Sequence, residues 1–381
     1  MDSVRFDRGG GVLNDPDPLE GRNDEIVASD EVTVADKCEV SSAMKERALA
    51  LCAKMLGGMW KTVSSTDAKV LQIRTGMSNL LFWCCLPEDI RRNDEPSEVL
   101  LRFYIDSTQD VLPYDNYQII QNVIFVLLSE RRLGPKLLGI FPEGRCEEYL
   151  RARPVTHKEV RRPDISRLIA RKLAGIHQLW MPISKESSCI LDYFSHWTTK
   201  LGALFRYMPN LCVESSTGVI ELGEAVLQKE IKVIRNFLWR INHDMVFCHN
   251  DLQEGNIMLP EHLSDVTFID FEYAGYNFRA FDIANHFCEW SIAYGGEKWP
   301  YFVISSDDLP TTEQQREFCT SYFEALGVSI SEQMIDAMCQ EISCFVPVSH
   351  FFWAVWSLLH CETSKIEFGY KVDFSNYLFL L

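Results

Sequence analysis

The chain has 381 residues, with 37 lysines and arginines against 54 aspartates and glutamates, for a formal net charge of −17 at pH 7. That acidity excludes a general nucleic-acid binder, which needs a basic surface to meet the phosphate backbone. It does not exclude a phosphorylated small molecule, because a bound metal ion masks an anion locally.

Residues 1–37 hold ten acids, four bases, a Gly-Gly-Gly run and Asp-Pro-Asp-Pro. Almost nothing there makes a core, so a mobile acidic tail is expected. Helical spacing begins near Ser41, with Met44, Ala48, Leu51, Met55 and Leu56 on one stripe. Val70–Arg74 and Leu80–Cys85 read as strands joined by Thr75-Gly76-Met77-Ser78-Asn79, and Val99–Ile105 as a third after a polar turn. Tyr117–Glu130 has helical spacing that Leu133-Gly134-Pro135 stops. Leu137–Phe141 and Cys146–Leu150 complete the expected sheet. Beyond about Ile165 the pattern turns to long helices: Ser166–Trp180, Ile190–Tyr207, Ile220–Ile241, Phe281–Tyr294, Thr312–Ala325 and Ser331–His360. A short β-insert at Val246–Phe247, Ile257–Leu259 and Val266–Ile269 interrupts them. The expected class is α+β, a small antiparallel-sheet lobe over residues 38–147 followed by a larger, mainly helical lobe over 148–381.

The thirteen cysteines are an odd number, contain no Cys-x-x-Cys pair and match no zinc spacing. No apolar leader follows Met1, so reduced thiols in a cytoplasmic protein are expected. The longest apolar stretches, Val123–Leu128 and Phe351–Val355, are far too short for a transmembrane segment.

The segment that carries chemistry runs Val246-Phe-Cys-His249-Asn250-Asp251-Leu-Gln-Glu-Gly-Asn256-Ile-Met-Leu259, followed by Phe268-Ile269-Asp270-Phe271-Glu272. The strand pattern puts Asn256 at the start of one hairpin arm and Asp270 at the end of the other, with Asp251 on the adjoining loop. Two hard-oxygen side chains beside a third carboxylate are what magnesium-assisted phosphoryl transfer requires. His-x-Asp-x4-Asn alone is a weak signal; the flanking apolar strands and the closing Asp strengthen it.

These residues resemble the catalytic loop and metal-binding Asp of the protein-kinase-like superfold, and more closely the choline/ethanolamine kinase family. The family signature is met by His249-Asn250-Asp251, Asn256, Ile269-Asp270-Phe271-Glu272-Tyr273, Asp282 and Glu289-Trp290. The resemblance spans about Met44 to Phe374 and implies a two-lobed kinase using ATP and Mg2+. Asn250 where protein kinases carry Arg, with no Gly-x-Gly-x-x-Gly and no Ala-Pro-Glu, disfavours a protein kinase. Asp251 is expected to align the acceptor hydroxyl, Asn256 and Asp270 to hold magnesium, and His249 to brace the loop rather than transfer protons. Gly76, Met77, Ser78 and Asn79 fit a phosphate-covering turn. Arg102 fits a guanidinium clamp on phosphate oxygens. The acidic partner expected for Arg102 on the next helix falls at Gln121, with Glu130 nine residues on, so that partner stays open. Glu147–Leu150, with Glu148 and Leu150 as contact residues, forms the expected link whose backbone meets adenine.

The acceptor is expected to be a cation. An alkylated ammonium has no N–H donors and is held by aromatic faces with a carboxylate nearby. Glu272, Tyr273, Glu289 and Tyr294 lie a short distance after Asp270, and Trp353 and Trp356 share a helix face; the resemblance assigns Glu289, Tyr273, Tyr294, Trp353, Trp356 and Phe368 to the amine pocket, with Phe374 at the far wall. Asp282, at a helix start, is expected to accept backbone N–H groups and order the loop. The reaction implied is phosphorylation of choline to phosphocholine by a homodimer in phosphatidylcholine synthesis. Ethanolamine kinase is the nearest alternative, and a silent nucleotide-binding scaffold the non-enzymatic one. Trp353 and Trp356 modestly favour choline.

Overall fold

The computed structural model describes residues 37–73, 79–104, 113, 117–186, 188–207, 211–215, 218–241, 245–261, 265–296, 298–363 and 368–370. The expected acidic tail up to residue 36, the turn residues Gly76, Met77 and Ser78, and Phe374 lie outside them.

The first lobe is a six-stranded antiparallel sheet in the order β1-β2-β3-β4-β6-β5. Its strands are β1 (Lys37–Glu39), β2 (Lys69–Ile73), β3 (Asn79–Cys85), β4 (Glu98–Tyr104), β5 (Leu137–Phe141) and β6 (Gly144–Glu148). Composition assigns Lys37 to the tail, yet it is the first residue of edge strand β1 and pairs with Ile73. β4 alternates sides as a half-buried strand does: Val99, Leu101 and Phe103 enter the core with Phe82 and Cys84. The opposite face carries Leu100 and Arg102. Gly144 lets β4 and β6 close up, because a Cβ there would meet the Arg102 carbonyl oxygen at 1.9 Å. Helix α1 (Ser42–Leu56) starts on Ser41, whose hydroxyl accepts from the Met44 N–H, and buries Ala48, Leu49 and Cys52 against the sheet.

Helix α2 (Tyr117–Glu130) follows the fourth strand in sequence, but its buried Ile124 and Leu128 belong to the second lobe's core. This helix fastens the sheet lobe to residues 271–272, through Gln121.

After the connection, β7 (Ala152–Pro154) pairs with Met258–Pro260. Helices α3 (Pro163–His177) and α4 (Cys189–Tyr207) follow, α3 opening on Pro163, where the missing N–H is harmless. The pattern expected as one helix over Ile220–Ile241 is divided. A hairpin of β8 (Leu211–Ser215) and β9 (Gly218–Leu222) ends before α5 (Glu224–Arg240), and Gly223 marks the change. The β-insert is then β10 (Met245–Cys248), β11 (Ile257–Pro260), β12 (Thr267–Phe268) and β13 (Gly275–Phe278). β11 pairs with β12 through Ile257 opposite Phe268, as the hairpin reading expects, while β10 pairs with β13.

Helix α6 (Arg279–Glu289) is shorter than the expected Phe281–Tyr294, because the chain turns into β14 (Ile292–Tyr294), paired with β15 (Phe302–Ile304). Helix α7 (Thr312–Leu326) has a capping box between Thr311 and Gln314 and ends on left-handed Gly327. Helix α8 (Glu332–Thr363) is long and apolar enough to cross a membrane by length and composition, which the short apolar runs alone do not indicate. Most of its apolar stretch is buried, with Phe345, Phe351, Phe352 and Leu358 in the core of this lobe, the burial of a central helix.

Candidate active site

The catalytic loop leaves β10 at Cys248 and returns through a short turn at Glu254–Asn256 into β11. It is anchored from below by Asp282 of α6, which is fully buried. One Asp282 oxygen accepts the Asn250 N–H at 2.7 Å; the other accepts the His249 N–H at 2.8 Å and lies 3.0 Å from Nε2 of His177. Tyr322 completes the chain at 2.8 Å from His177 Nδ1. Burial by itself would raise the Asp282 carboxyl, but the His177 bond and the backbone donors outweigh it and hold the carboxyl below its usual range. His177, Asp282 and Cys248 cluster as metal ligands do. Both His177 nitrogens and both Asp282 oxygens are already hydrogen-bonded, however, so the cluster is a brace. Asp282 thus has the supporting place that its position at a helix start suggests.

Asn250 adopts left-handed φ 66°, a conformation its short amide side chain stabilises. Its Nδ2 donates to the Tyr273 carbonyl at 2.9 Å, and its Oδ1 accepts from Asn277 at 2.9 Å. His249 is buried beneath the loop. Its Nδ1 accepts the Asp251 N–H at 3.3 Å, so Nε2 carries the proton given to the Ile269 carbonyl at 2.9 Å. Burial lowers its pKa. A neutral imidazole bonded at both nitrogens, as here, orients the loop.

Asn256 donates Nδ2 to Asp251 twice, to the carbonyl at 2.8 Å and to Oδ2 at 3.0 Å. Its Oδ1 is thereby directed away from Asp251. Across the hairpin the Ile269 N–H bonds the Asn256 carbonyl at 3.0 Å, and the next residue, Asp270, has φ 61°, which turns its carboxylate toward the sheet lobe. The donors are an amide oxygen and a carboxylate, all hard oxygen, and they fit magnesium rather than a thiophilic metal.

Arg102 reaches Asp270 from β4 with Nη1 at 3.4 Å. Its partner is neither Gln121 nor Glu130 but Glu147, bonded through Nε at 2.8 Å. The pairing has a simple cause. Arg102 sits directly opposite Arg145, Leu100 opposite Glu147, and residues two apart share a face. Glu147 also accepts Arg145 Nε at 2.7 Å, so one carboxylate separates two cations that would otherwise repel. Burial tends to raise Glu147, and the two guanidiniums reverse that and lower it. Gln121 instead donates to the carbonyls of Phe271 and Glu272 at 3.0 and 2.9 Å, while Tyr117 donates to Glu272 at 3.1 Å. The helix that holds the acidic partner in protein kinases here holds the segment after Asp270. Glu130 is exposed.

Asn79 begins β3 opposite Tyr104. Glu148 is exposed, with its carboxylate accepting the Lys136 N–H at 3.0 Å and its own N–H bonding the Lys136 carbonyl at 2.8 Å. The connection proper is 149–151, with Leu150 half-buried.

On the other side of Asp251 lies an acidic and aromatic wall. Glu289 ends α6 and accepts the Tyr294 hydroxyl at 3.0 Å, so the pair persists although Tyr294 lies on a strand. Tyr273, Trp353 and Trp356 form a continuous ring cluster, with centroids 5.3 Å apart for Tyr273–Trp353 and 5.5 Å for Trp353–Trp356. Their polar ends are tied off: Trp353 Nε1 donates to Asn285 at 2.6 Å and Trp356 Nε1 to the Tyr273 hydroxyl at 2.7 Å. Phe368 does not join this cluster directly. It packs on Tyr370 at 5.0 Å, and Tyr370 on Trp356 at 5.9 Å. Burial first, then the charges of Glu289, Glu272 and Asp270, push the Asp251 carboxyl well above its ordinary range.

Several members escape sequence reading. Glu147, Asn285 and Tyr370 act through partners distant in sequence, and only the Arg145-Cys146-Glu147 alternation hints at the first. Glu254 accepts the Tyr294 N–H at 3.3 Å and is raised by burial to about 7, joining the loop to the acidic and aromatic wall.

The choline/ethanolamine kinase family profile matches residues 70–378. A human choline/ethanolamine kinase is 39% identical over 344 residues, covering 87% of this chain and 84% of that protein. Choline kinase A2 of Caenorhabditis elegans is 39% identical over 365 residues, with 86% and 82% covered. A choline kinase crystal structure from Cryptosporidium parvum superposes with a TM-score of 0.70 over 88% of this chain and 94% of its own, at 24% identity, a likeness of fold. The match over most of the chain and the two-lobed fold place this protein in the choline/ethanolamine kinase family, as an ATP-dependent kinase.

Proposed function

We propose that the chain transfers the γ-phosphoryl group of ATP to the hydroxyl of choline, with Mg2+, to give phosphocholine. The observation that carries this reading is the position of Asp251 between the Asn256–Asp270 oxygen pair and the Glu289–Tyr273–Trp353–Trp356 wall. Asn256 and Asp270 would hold the metal, which supplies charge neutralisation on the phosphates. Arg102, held by Glu147, offers its guanidinium to the nucleotide from the sheet lobe, and the sequence Gly76, Met77, Ser78 and Asn79 is the phosphate-covering segment of this reading. The backbone near Glu148 and Leu150 is the adenine contact. Asp251 aligns the acceptor hydroxyl for in-line attack and takes its proton late, while His249 and Asp282 keep the loop in place.

The choice of choline follows from the wall. Both indole N–H groups and the Tyr273 hydroxyl are engaged with one another or with Asn285, so the site offers ring faces to its ligand. A trimethylated ammonium needs such faces and no hydrogen-bond acceptors, with Glu289 and Glu272 supplying counter-charge and Tyr294 and Phe368 closing the rim. Ethanolamine, with three N–H donors, gains less from them. The test is kcat/KM for the two amines at saturating ATP and magnesium. A choline preference of about tenfold is expected on the usual worth of a desolvated cation–π contact, and parity or an ethanolamine preference would overturn it. Family resemblance supports three further points of the reading: a homodimer, a cytoplasmic location and a place in phosphatidylcholine synthesis.

A further inference from the structure

Cys319 of α7 and Cys339 of α8 are twenty residues apart, and their Sγ atoms lie 3.8 Å from each other. Cys319 is buried, whereas Cys339 is half-buried. Arg316, one turn before Cys319, is ion-paired with both Glu332 and Asp336 of α8, so the two helices are clasped beside the thiols. The Cys319 thiol and the Arg316 guanidinium hold Cys339 below the usual thiol range, against burial and the opposing charge of Asp336. The hydrogen bond to Cys339 and burial raise Cys319, which keeps its proton. A partly exposed thiolate beside a cation, with a second sulfur in reach, is the environment that distinguishes reactive cysteines from inert ones.

We propose that Cys319 and Cys339 form a covalent modification site for hydrogen peroxide, which converts the pair to a disulfide joining α7 to α8. The Cys339 thiolate attacks one peroxide oxygen, the O–O bond breaks, and hydroxide leaves to be protonated to water. The Cys319 sulfur then attacks the sulfenic sulfur, the S–O bond breaks, and the departing hydroxide takes the Cys319 proton as a second water. Two thiols and one peroxide give one disulfide and two waters. The sulfurs must close by under about 2 Å to reach bonding distance, a movement within side-chain rotation.

The other cysteines provide internal contrasts. Cys52 and Cys84 are also thiol neighbours, but both are fully buried in the sheet lobe with Cys146. Cys344 is exposed on the same helix as Cys339. The modification site lies about 21 Å of helix before Trp353, at about 1.5 Å per residue, so it is read independently of the kinase reaction.

The experiment treats the full-length protein with hydrogen peroxide, alkylates it, digests it without reduction and maps the peptides by mass spectrometry. A Cys319–Cys339 linked peptide, two hydrogens lighter than its separate halves, is expected before any other cysteine product. In Cys319→Ser the link disappears and Cys339 is trapped by dimedone as a sulfenic acid. Oxidation of Cys344 while Cys319 and Cys339 remain alkylatable would overturn the proposal. If the Cys319→Ser protein does not fold, the wild-type protein decides. Cys339 should react with iodoacetamide at pH 7 about tenfold faster than free cysteine, given the higher thiolate fraction of a lowered thiol, and equal rates count against the pair.

Discussion

Two aspartates, one fully buried beneath the loop and one half-buried on it, are treated oppositely by their surroundings. Asp282 sits among donors: two backbone N–H groups and His177 converge on its oxygens, and its carboxyl is held low. Asp251 sits among acceptors, with Glu289, Glu272 and Asp270 around it and one amide donor from Asn256, and its carboxyl is pushed up. The first arrangement stabilises the fold at neutral pH; the second is a site in which a negative charge is unwelcome until a cation arrives. The difference separates a structural carboxyl from a candidate functional one: the carboxylate surrounded by donors holds the loop, and the carboxyl surrounded by other carboxylates is poised for a cationic ligand.

That contrast is breakable by substitution. The largest effect is expected of Asp282→Ala, which leaves the His249 and Asn250 N–H groups and His177 without their acceptor. Unfolding free energy should fall by roughly 3–5 kcal/mol, as when one partner of a buried polar pair is removed, and urea titration measures it. Kinase activity should fall with it. Asp251→Asn should separate the two properties. It should lower kcat by about 10²–10⁴-fold, the usual worth of a positioned base, while raising the urea midpoint, because it removes a carboxyl whose ionised form is disfavoured by three neighbouring carboxylates. A drop in stability as large as that of Asp282→Ala would erase the distinction between the two sites.

The two sides of the site were also unequally legible in the sequence. The loop and hairpin lie within thirty-three residues of chain from His249 to Asp282, and strand alternation around them suffices to place Asn256 and Asp270 together. The amine wall draws on α6, β14 and the far end of α8. No periodicity reveals that Asn285 accepts from Trp353 across 68 residues, and residue type alone makes Trp353 and Trp356 an ordinary buried helix face. Family resemblance carried that half. It leaves the Arg102 partner open because the ion pair is closed across a strand pair, Arg102 to Glu147, rather than from a helix. The helices at Ile220–Ile241 and Phe281–Tyr294 were drawn too long for a related reason. β9 and β14 are short apolar segments abutting true helices, where apolar spacing does not distinguish the two states.

A smaller effect sharpens the amine side. Trp356→Leu keeps apolar volume but removes a ring face and frees the Tyr273 hydroxyl. KM for choline should rise by about tenfold and KM for ethanolamine by less, from the loss of one cation–π face, with kcat changed little. Steady-state kinetics with both amines check this, and an equal rise for both would show that the ring supplies shape rather than cation recognition.

The smallest effect concerns His286, which lies beneath the loop from α6 and repeats the Asp contrast in a titratable base. Its Nδ1 donates to the Leu252 carbonyl at 2.9 Å, so Nε2 is the acceptor of the Trp290 indole N–H at 3.2 Å. Protonating Nε2 would set two N–H groups against each other in a buried space, and burial accordingly lowers this histidine to about 4. Its folded pKa lies below the unfolded value, so the unfolded chain takes up the proton first as the solution is acidified. Its stabilising contribution is whole above about pH 6.5 and is lost progressively as the pH falls from there toward 4. At pH 5.5 the loss from this one residue is roughly 1 kcal/mol relative to pH 7.5. Urea unfolding at those two pH values, in wild type and in His286→Gln, isolates it. Other buried histidines such as His350 and His360 titrate in both proteins and cancel in the comparison. An unchanged difference between the two pH values in His286→Gln would mean that His286 accepts its proton in the folded chain, and that the Trp290 bond yields to it.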